Sequence, residues 1–144
     1  MMRRVYPFFL LLAFLVGALG HMFSRPVPLE EVPYVVTLQA ENTNALFLSS
    51  LPKEGATIGI LDREGRLLSV TATPARLYEM KAGGIASYSS VLFSCVTLCA
   101  SVKAHEKEGR FYLGERYLAL GDALTLLGEN FSLHAHFIAY SADF

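Results

Sequence analysis

The sequence predicts an all-β domain with at most one short helix, attached to an N-terminal transmembrane helix. A long run near the N-terminus has no charged side chain, as is typical of a segment that enters a membrane. Beyond residue 33, apolar and polar residues alternate with the two-residue period of half-buried strands. The pattern of the first half of this region recurs in the second half. We expect the two halves to close on one another as a small closed barrel or a sandwich.

The N-terminal run predicts an export signal. The run from residue 5 carries no charge, and Arg3 and Arg4 directly precede it, which favours an N-terminus on the cytoplasmic side. As one helix, residues 5–23 would rise roughly 28 Å, close to the ~30 Å hydrocarbon core of a bilayer. A cleaved signal peptide is the alternative, because Ala18 and Gly20 are small residues at suitable spacing. The first interpretation predicts a single-pass protein of the cytoplasmic membrane with its C-terminal domain outside, and the second a secreted protein.

The chain is expected to have three parts. Residues 1–24 form the membrane anchor or signal sequence, residues 25–33 a proline-rich spacer, and residues 34–144 an extracytoplasmic β-domain. Proline fixes φ and lacks an N–H donor, so the spacer is predicted to be stiff and to hold the domain a few residues from the bilayer. A formal net charge of −1 gives no basis for binding a nucleic acid.

The first half of the β-domain, residues 34–80, is predicted to begin with a strand. In this strand, Val36, Leu38 and Ala40 share one face, which we expect to be buried. The elements expected after it are a short helix at 44–48, strands at 57–61 and 66–73, and between them a hairpin turn at 62–65 with a left-handed Gly65.

A polar stretch follows the third strand. Residues 74–84 begin with a proline and end with the Gly83-Gly84 pair, which is typical of a loop. We expect this loop to cross the domain with Leu77 and Tyr78 turned back toward the core.

The second half, residues 88–144, is predicted to begin with a long strand at 88–103. Its even-numbered residues from Val96 to Val102 are apolar and are expected to face the core. The elements expected after it are a charged turn at 105–110, short strands at 111–113 and 117–118, and a closing hairpin of strands 124–127 and 131–140 joined at 128–130.

The two halves share a sequence pattern. Residues 36–40 (VTLQA) recur as residues 96–100 (VTLCA). Gly55 in the first half and Gly121 in the second each precede a short strand, a tight turn and a longer alternating strand. Each half alone would leave one face of its sheet exposed, so the repeat favours two halves that cover each other.

Four segments, 36–38 (VTL), 51–55 (LPKEG), 118–126 (LALGDALTL) and 131–133 (FSL), resemble the DUF4330 family. The resemblance extends over the whole chain. It implies a bacterial protein with a single N-terminal membrane segment and a β-rich domain of unknown function. The first half has Gly55-Ala56 where the family usually has Gly-Asp. The resemblance implies no catalytic residues.

Catalytic and metal chemistry are not expected. Cys95 and Cys99 on one strand would lie about 13 Å apart, beyond the ~7 Å that a disulfide spans between α-carbons, so both are predicted to be free thiols. His134 and His136 share a strand face, but a zinc site takes three or four ligands and no third ligand is near in sequence. The serines lack the strained turn and the oriented histidine of a nucleophilic site. The sequence therefore predicts no catalytic residue, metal site or cofactor.

Aromatic and histidine side chains of the final third form the candidate binding face. Exposed, they would suit a sugar or a protein surface. The alternative is that the aromatic residues fill the core and the edge of a barrel. The residues of this candidate face are Tyr112, Tyr117, Tyr140, His134 and His136.

We expect a non-enzymatic protein that presents its β-domain on the outer face of a bacterial cytoplasmic membrane and binds another cell-envelope protein there. A module that binds envelope or exported polysaccharide is the first alternative. The second is a hydrolase, which would bring His134 or His136 to a serine or a carboxylate. Self-association is favoured if residues 91–102 or 131–140 form an uncovered edge strand.

Overall fold

The computed structural model describes residues 12–18 and 29–142. Residues 12–18 are helical and exposed. The other residues of the predicted anchor, 1–11 and 19–24, lie outside the described residues, as do residues 25–28 of the predicted spacer. Within the two described ranges, no helix is long and apolar enough to cross a membrane. The transmembrane helix and the location outside the cytoplasm therefore stay predictions.

The described chain folds mostly into strands, which confirms the all-β class. A 3₁₀ helix (Ala45–Ser50) lies where the sequence predicts a short helix, and Asn44 caps it by accepting a 2.9 Å hydrogen bond from the N–H of Leu46 at Oδ1. The strands are β1 (Val32–Asn44), β2 (Thr57–Ile60), β3 (Arg63–Lys81), β4 (Gly84–Lys107), β5 (Arg110–Leu113), β6 (Arg116–Leu118), β7 (Ala123–Leu127) and β8 (Ser132–Ala142).

Six of these strands are hydrogen-bonded in a closed ring. Their order is β1-β8-β7-β2-β3-β4, and β4 pairs again with β1, always in antiparallel orientation. Closing the ring covers strand edges that an open sheet would expose. The hairpin of β5 and β6 extends from the end of β4, because β5 pairs with residues 105–107.

The inward-facing side chains of the ring form one hydrophobic core. Val36, Leu38 and Ala40 of β1 are buried, as are the even-numbered residues of β4 from Val96 to Ala104, which confirms both predicted inner faces. Alternate residues of a strand point to opposite sides, so the outer face of these strands consists of the residues between them. The other buried apolar residues of the core are Tyr34, Ile58, Ile60, Leu67, Phe111, Leu113, Leu118, Leu124, Leu126, Phe131, Leu133, Ala135 and Phe137.

The order of pairings in the ring has an approximate two-fold arrangement. Exchanging β1 with β4, β2 with β7 and β3 with β8 leaves the order unchanged. Leu38 pairs with Leu98 where β1 meets β4, and Ile60 pairs with Leu126 where β2 meets β7. Leu38 and Leu98 are the third residues of the repeated five-residue segments. The contact between the two halves is therefore centred on equivalent leucines.

Gly55 and Gly121, the equivalent glycines of the two halves, and the residues that follow them make the same pair of backbone hydrogen bonds. Bonds of 2.7 and 2.9 Å join the Gly55-Ala56 segment to both backbone groups of Leu67, and bonds of 2.7 and 2.9 Å join Gly121-Asp122 to Phe137. In both segments the glycine has positive φ, +84° and +95° respectively. Glycine adopts this conformation without the clash that a Cβ would cause, which explains why it occurs at both positions.

The prediction of a crossing loop at residues 74–84 is wrong. β3 continues to Lys81, where it pairs with Gly84 at the start of β4, and Tyr78 is 68% exposed instead of turned toward the core. Ala75 is buried and Leu77 is half-buried, but the other side chains of residues 76–81 are exposed, so this part of β3 has no continuous buried face and suggested a loop. Pro74 is accommodated because β3 pairs with β2 only at residues 63–66, so its other edge has no partner strand in the described chain at this point.

The predicted turn at residues 62–65 is displaced. Ile60 pairs with Arg63, so the turn consists of Leu61 and Asp62, and Leu61 is the residue with positive φ, +57°. Gly65 lies inside β3 and is buried. A Cβ added there would lie 3.1 Å from the carbonyl oxygen of Ser101. The glycine therefore serves close packing of β3 on β4, not turn geometry.

This packing predicts the stability of a pair of glycine variants. Gly65→Ala should lower the free energy of unfolding by about 1–3 kcal/mol, because the new methyl group meets a backbone oxygen that cannot easily move. Gly83→Ala, at the turn between β3 and β4, adds a Cβ with nothing within 4 Å and is the matched control. Denaturant unfolding of the full chain measures both. Equal stability of the two variants would contradict the assigned packing.

Candidate binding surfaces

Tyr112 and Tyr117, two of the predicted binding residues, lie side by side on the outer face of the β5–β6 hairpin. They are directly opposed across the two strands, with ring centroids 5.7 Å apart. Tyr112 is also opposed to His105 of β4, and these two rings stack at 5.2 Å with an interplanar angle of 2°. His105, Tyr112 and Tyr117 thus form a row across three neighbouring strands, which we call the aromatic row.

A cation lies at one end of the aromatic row. The guanidinium carbon of Arg110 is 5.9 Å from the centroid of Tyr117, within the range of a cation–π contact. Tyr117 is 48% exposed, whereas Tyr112 and His105 are half-buried. His105 Nδ1 is buried and has no hydrogen-bond partner in the part of the chain that the structure describes. The row offers exposed π surface beside a positive charge.

Tyr140 is separated from the aromatic row. Its ring packs in the core cluster, 4.5 Å from Phe111 and 6.0 Å from Phe137 between centroids. Phe111 and Tyr112 are neighbours on β5 and point to opposite sides, one into the core and one outward. The predicted binding face is therefore not one surface, because Tyr140 belongs to the interior side of the sheet.

A bulge explains why the sequence pattern misplaces Tyr140. Strict alternation would put it on the same side as His134 and His136. The pairing of β8 with β1 skips Ile138, however, and the alternation changes phase there. Phe137 is buried before the bulge, Ile138 is 39% exposed, and Tyr140 then turns inward.

His134 and His136 lie exposed on the outer face of β8. His134 Nδ1 is 3.0 Å from Thr125 Oγ1 on the neighbouring strand, and His136 Nδ1 donates to the carbonyl oxygen of Gly121 at 3.1 Å. In the described ranges, no three or more His, Cys, Asp or Glu side chains are grouped so that they could hold a metal ion. Both histidines are held by local hydrogen bonds on an open surface.

The two cysteines lie on the outer face of β4 as free thiols, as predicted. The Nε2 amide of Gln39 donates to Cys95 Sγ at 2.8 Å, and Thr37 Oγ1 lies 3.8 Å from Cys99 Sγ. Both thiols are half-buried. Their contacts are with polar side chains of β1, so they contribute to the pairing of β1 with β4 from outside.

A surface that the sequence analysis missed lies at the end of β3 and β4. Residues 76–81 of β3 pair with residues 84–89 of β4 beyond the part of β4 that pairs with β1. We call this two-stranded projection, residues 76–92, the arm. It exposes large apolar side chains: Tyr78 (68%), Met80 (85%), Ile85 (71%), Tyr88 (51%), Val91 (91%) and Leu92 (65%). The signal in the sequence was the short turn Ala82-Gly83, with the apolar residues Met80 and Ile85 two positions away on either side.

The base of the arm has a defined bend. The register of β3 and β4 shifts between Pro74 and Arg76, where four residues of β4 face a single residue of β3. In the bend, the hydroxyl oxygen of Ser90 accepts hydrogen bonds from the N–H groups of Leu92 at 3.2 Å and Phe93 at 3.0 Å. These bonds satisfy donors that the irregular ladder would otherwise leave unpaired.

The opposite end of the ring carries the start of β1. Glu31 there forms a 2.8 Å ion pair with Arg63 at the turn between β2 and β3. A Cβ on Gly114 would lie 3.0 Å from Arg63 Nη2, so the guanidinium packs over the turn between β5 and β6. Because both side chains are partly exposed, the pair adds little to stability, but it fixes where the chain enters the ring.

The side chain of Tyr140 has a raised pKa. Its burial, and secondly the negative charge of Glu106, raise the pKa of Tyr140 above the ordinary value of 10.0. The neutral phenol is therefore the form that the folded state prefers.

The raised pKa predicts a loss of stability in alkaline solution. The unfolded chain releases the Tyr140 proton at lower pH than the folded chain, so the free energy of unfolding should fall as pH rises through 10 toward the folded pKa. Tyr140→Phe should show a shallower fall. Denaturant unfolding of both proteins at intervals from pH 8 to 11 measures how the free energy of unfolding falls. The difference between the two proteins at pH 7, where the phenol is neutral in both states, gives the effect of losing the hydroxyl contacts alone. Parallel curves for the two proteins would contradict the assignment.

Comparison with known proteins gives no match: no protein-family model, curated protein or solved structure is similar to this chain. The likeness to the DUF4330 family therefore stays a prediction from the sequence.

Proposed function

We propose that this chain is a non-enzymatic, membrane-anchored protein of a bacterial cell envelope that binds another envelope protein through its arm. The six-stranded ring, in this proposal a small closed barrel, is the rigid base that presents the arm outside the cytoplasm. The observation that carries the proposal is the set of large apolar side chains that the arm exposes.

The arm is unlike an ordinary solvent-exposed hairpin. A two-stranded ribbon is marginally stable alone in water and usually needs a hydrophobic face that packs on something. On the arm, Met80 and Ile85 are paired directly across the two strands, and both are mostly exposed. Contiguous apolar surface of this kind marks interaction sites on soluble domains. Full burial of each such side chain against a partner contributes about 1.5–3 kcal/mol.

The position of the arm suits a protein anchored at its N-terminus. β1 begins at Val32, and it ends near Asn44, which pairs with Phe93 at the base of the arm. The predicted anchor and the arm therefore attach to opposite ends of the ring. The paired part of the arm, residues 76–81 with 84–89, extends roughly 20 Å at ~3.3 Å per residue. Anchoring would hold this surface at a high effective concentration near other membrane proteins.

Support for a non-enzymatic role comes from the contacts of the histidines. His134 meets a threonine hydroxyl on the open face of β8, and His136 is held by a backbone carbonyl. A hydrolytic site requires a nucleophile, a base and a group that orients the base, placed around a bound substrate. The surface around these histidines is instead an ordinary outer face of a sheet.

The proposal predicts the outcome of removing apolar groups from the arm. The double variant Met80→Ser/Ile85→Ser should weaken capture of an envelope protein from crosslinked cells by roughly 2 kcal/mol or more, which is about 30-fold in affinity. The matched control is Leu46→Ser/Leu120→Ser, which removes two residues that are 86% and 64% exposed but lie outside the arm. Quantitative mass spectrometry of the captured proteins measures the difference. Equal loss in both variants, or no loss in the arm variant, would sink the proposal.

A second candidate function is binding of envelope or exported polysaccharide, and the aromatic row is the observation that favours it. Exposed tyrosine rings beside a guanidinium can pack on the apolar faces of sugar rings and bond to their hydroxyls. Tyr117 is the most exposed ring of the row, and Arg110 lies over it.

This candidate predicts a specific effect of Tyr117→Ala. The variant should weaken binding to envelope polysaccharide by roughly 1–2 kcal/mol, the contribution of one stacked ring and its cation. The weaker binding should appear as reduced retardation of the protein in gels that contain the polysaccharide. Tyr88→Ala on the arm, which also removes a half-exposed tyrosine, is the control and should migrate as the unmodified protein does. Retardation that is unchanged by Tyr117→Ala would exclude the aromatic row as the binding site.

A further inference from the structure

We infer that two copies of this chain pair through the arm, with residues 84–89 of β4 in one copy hydrogen-bonded antiparallel to the same residues of the other. This inference goes beyond the proposed function, because it concerns the edge of the arm and not the capture of a different protein. It rests on which strand edges are covered, where the charges lie, and what a symmetric pair requires.

The outer edge of residues 84–92 is uncovered. β4 pairs with β1 from Phe93 onward and with β5 at residues 105–107, so no strand among the described residues lies beside this edge. The sequence had suggested residues 91–102 or 131–140 as open edges. Nearly all of the first segment is covered by β1 and β3, and β8 pairs with both β1 and β7. The uncovered edge is therefore displaced toward the tip of the arm.

The two edges of the arm differ in charge. On the β3 side, Arg76, Glu79 and Lys81 are exposed, and Pro74 precedes them. Charged residues and proline are the devices by which proteins prevent edge-to-edge association. On the β4 side, residues 84–92 (GIASYSSVL) contain no charged residue and no proline. One edge is protected against pairing with another strand, and the other is not.

A second copy of the same strand fits this uncharged edge. In a two-fold antiparallel pair, each residue of the segment lies opposite another residue of the same segment, so any charge would face a like charge nearby. Residues 84–92 create no such repulsion. The exposed apolar side chains of the β4 segment, Ile85, Tyr88, Val91 and Leu92, flank this edge and can pack across the pair.

The pair is also self-limiting. Joining the two β4 edges gives a four-stranded sheet in which the outermost strands are the β3 segments of the two copies. Those outer edges carry Pro74, Arg76, Glu79 and Lys81, so no further strand is added. The association therefore closes as a dimer and does not continue into a fibre. The joined sheet gains the third and fourth strands that a stable isolated sheet requires.

The test is crosslinking of two differently tagged copies of the full chain, expressed together in bacterial cells. A photo-crosslinking amino acid replaces Ser89 on the β4 side or, as a control, Glu79 on the β3 side; both positions are exposed. The expected product carries both tags, has twice the chain mass and forms from position 89 but not from position 79. Ser87→Lys, which puts a charge on the β4 edge, should abolish it. Tyr78→Lys, directly across the arm from Ser87, should not.

The outcomes separate this inference from the proposed function. Lack of a product with both tags at position 89, equal products from positions 89 and 79, or a product that survives Ser87→Lys overturns the inference. A product at position 89 that joins one tagged copy to a different protein overturns the inference and leaves the proposed function standing. A product with lipid alone overturns both. Circular dichroism of the Ser87→Lys and Tyr78→Lys variants verifies that each is folded.

Discussion

The pairing of β1 with β4 is the contact on which the rest of the structure depends. It joins the two halves of the chain, with Leu38 opposite Leu98 at its centre, and it closes the ring. Without it, β1 and β4 would each expose a long edge and the inner faces of both halves would meet water. With it, every side chain of the ring is assigned to an inside or an outside, because successive residues of a strand point to opposite faces. That division separates Phe111 in the core from Tyr112 on the surface.

The sequence predicted the ring well where one face of a strand is buried. The inner residues of β1 and β4 follow from strict alternation, because the hydrophobic effect selects apolar side chains at every second position. The same logic fails at the arm. Both faces of residues 76–92 are largely exposed, so apolar and polar residues are not sorted by side and the segment suggests a loop.

The position of the turn after β2 and the orientation of Tyr140 also have local geometric causes. Gly65 suggested a left-handed turn residue, but glycine is also selected where two backbones approach closely, and here Ser101 lies against it. The left-handed position belongs to Leu61, a residue type that gives no such signal. Alternation along β8 would put Tyr140 on the face of His134 and His136, and the bulge at Ile138, which turns it inward, cannot be read from alternation alone. In each case tertiary contacts decide what the local pattern leaves open.

The candidate surfaces lie where the two halves differ. The first half places a 3₁₀ helix between β1 and its glycine turn, and the second half places the β5–β6 hairpin, with the aromatic row, in the equivalent position. The arm extends β3 and β4 beyond the residues by which they pair within the ring. The parts shared by both halves bury the core and close the ring. The parts that break the repeat add no strand to the ring, yet they carry most of the exposed apolar and aromatic side chains of the domain. Side chains that closure of the ring does not require are free to serve recognition, so binding is best sought in the arm and the β5–β6 hairpin.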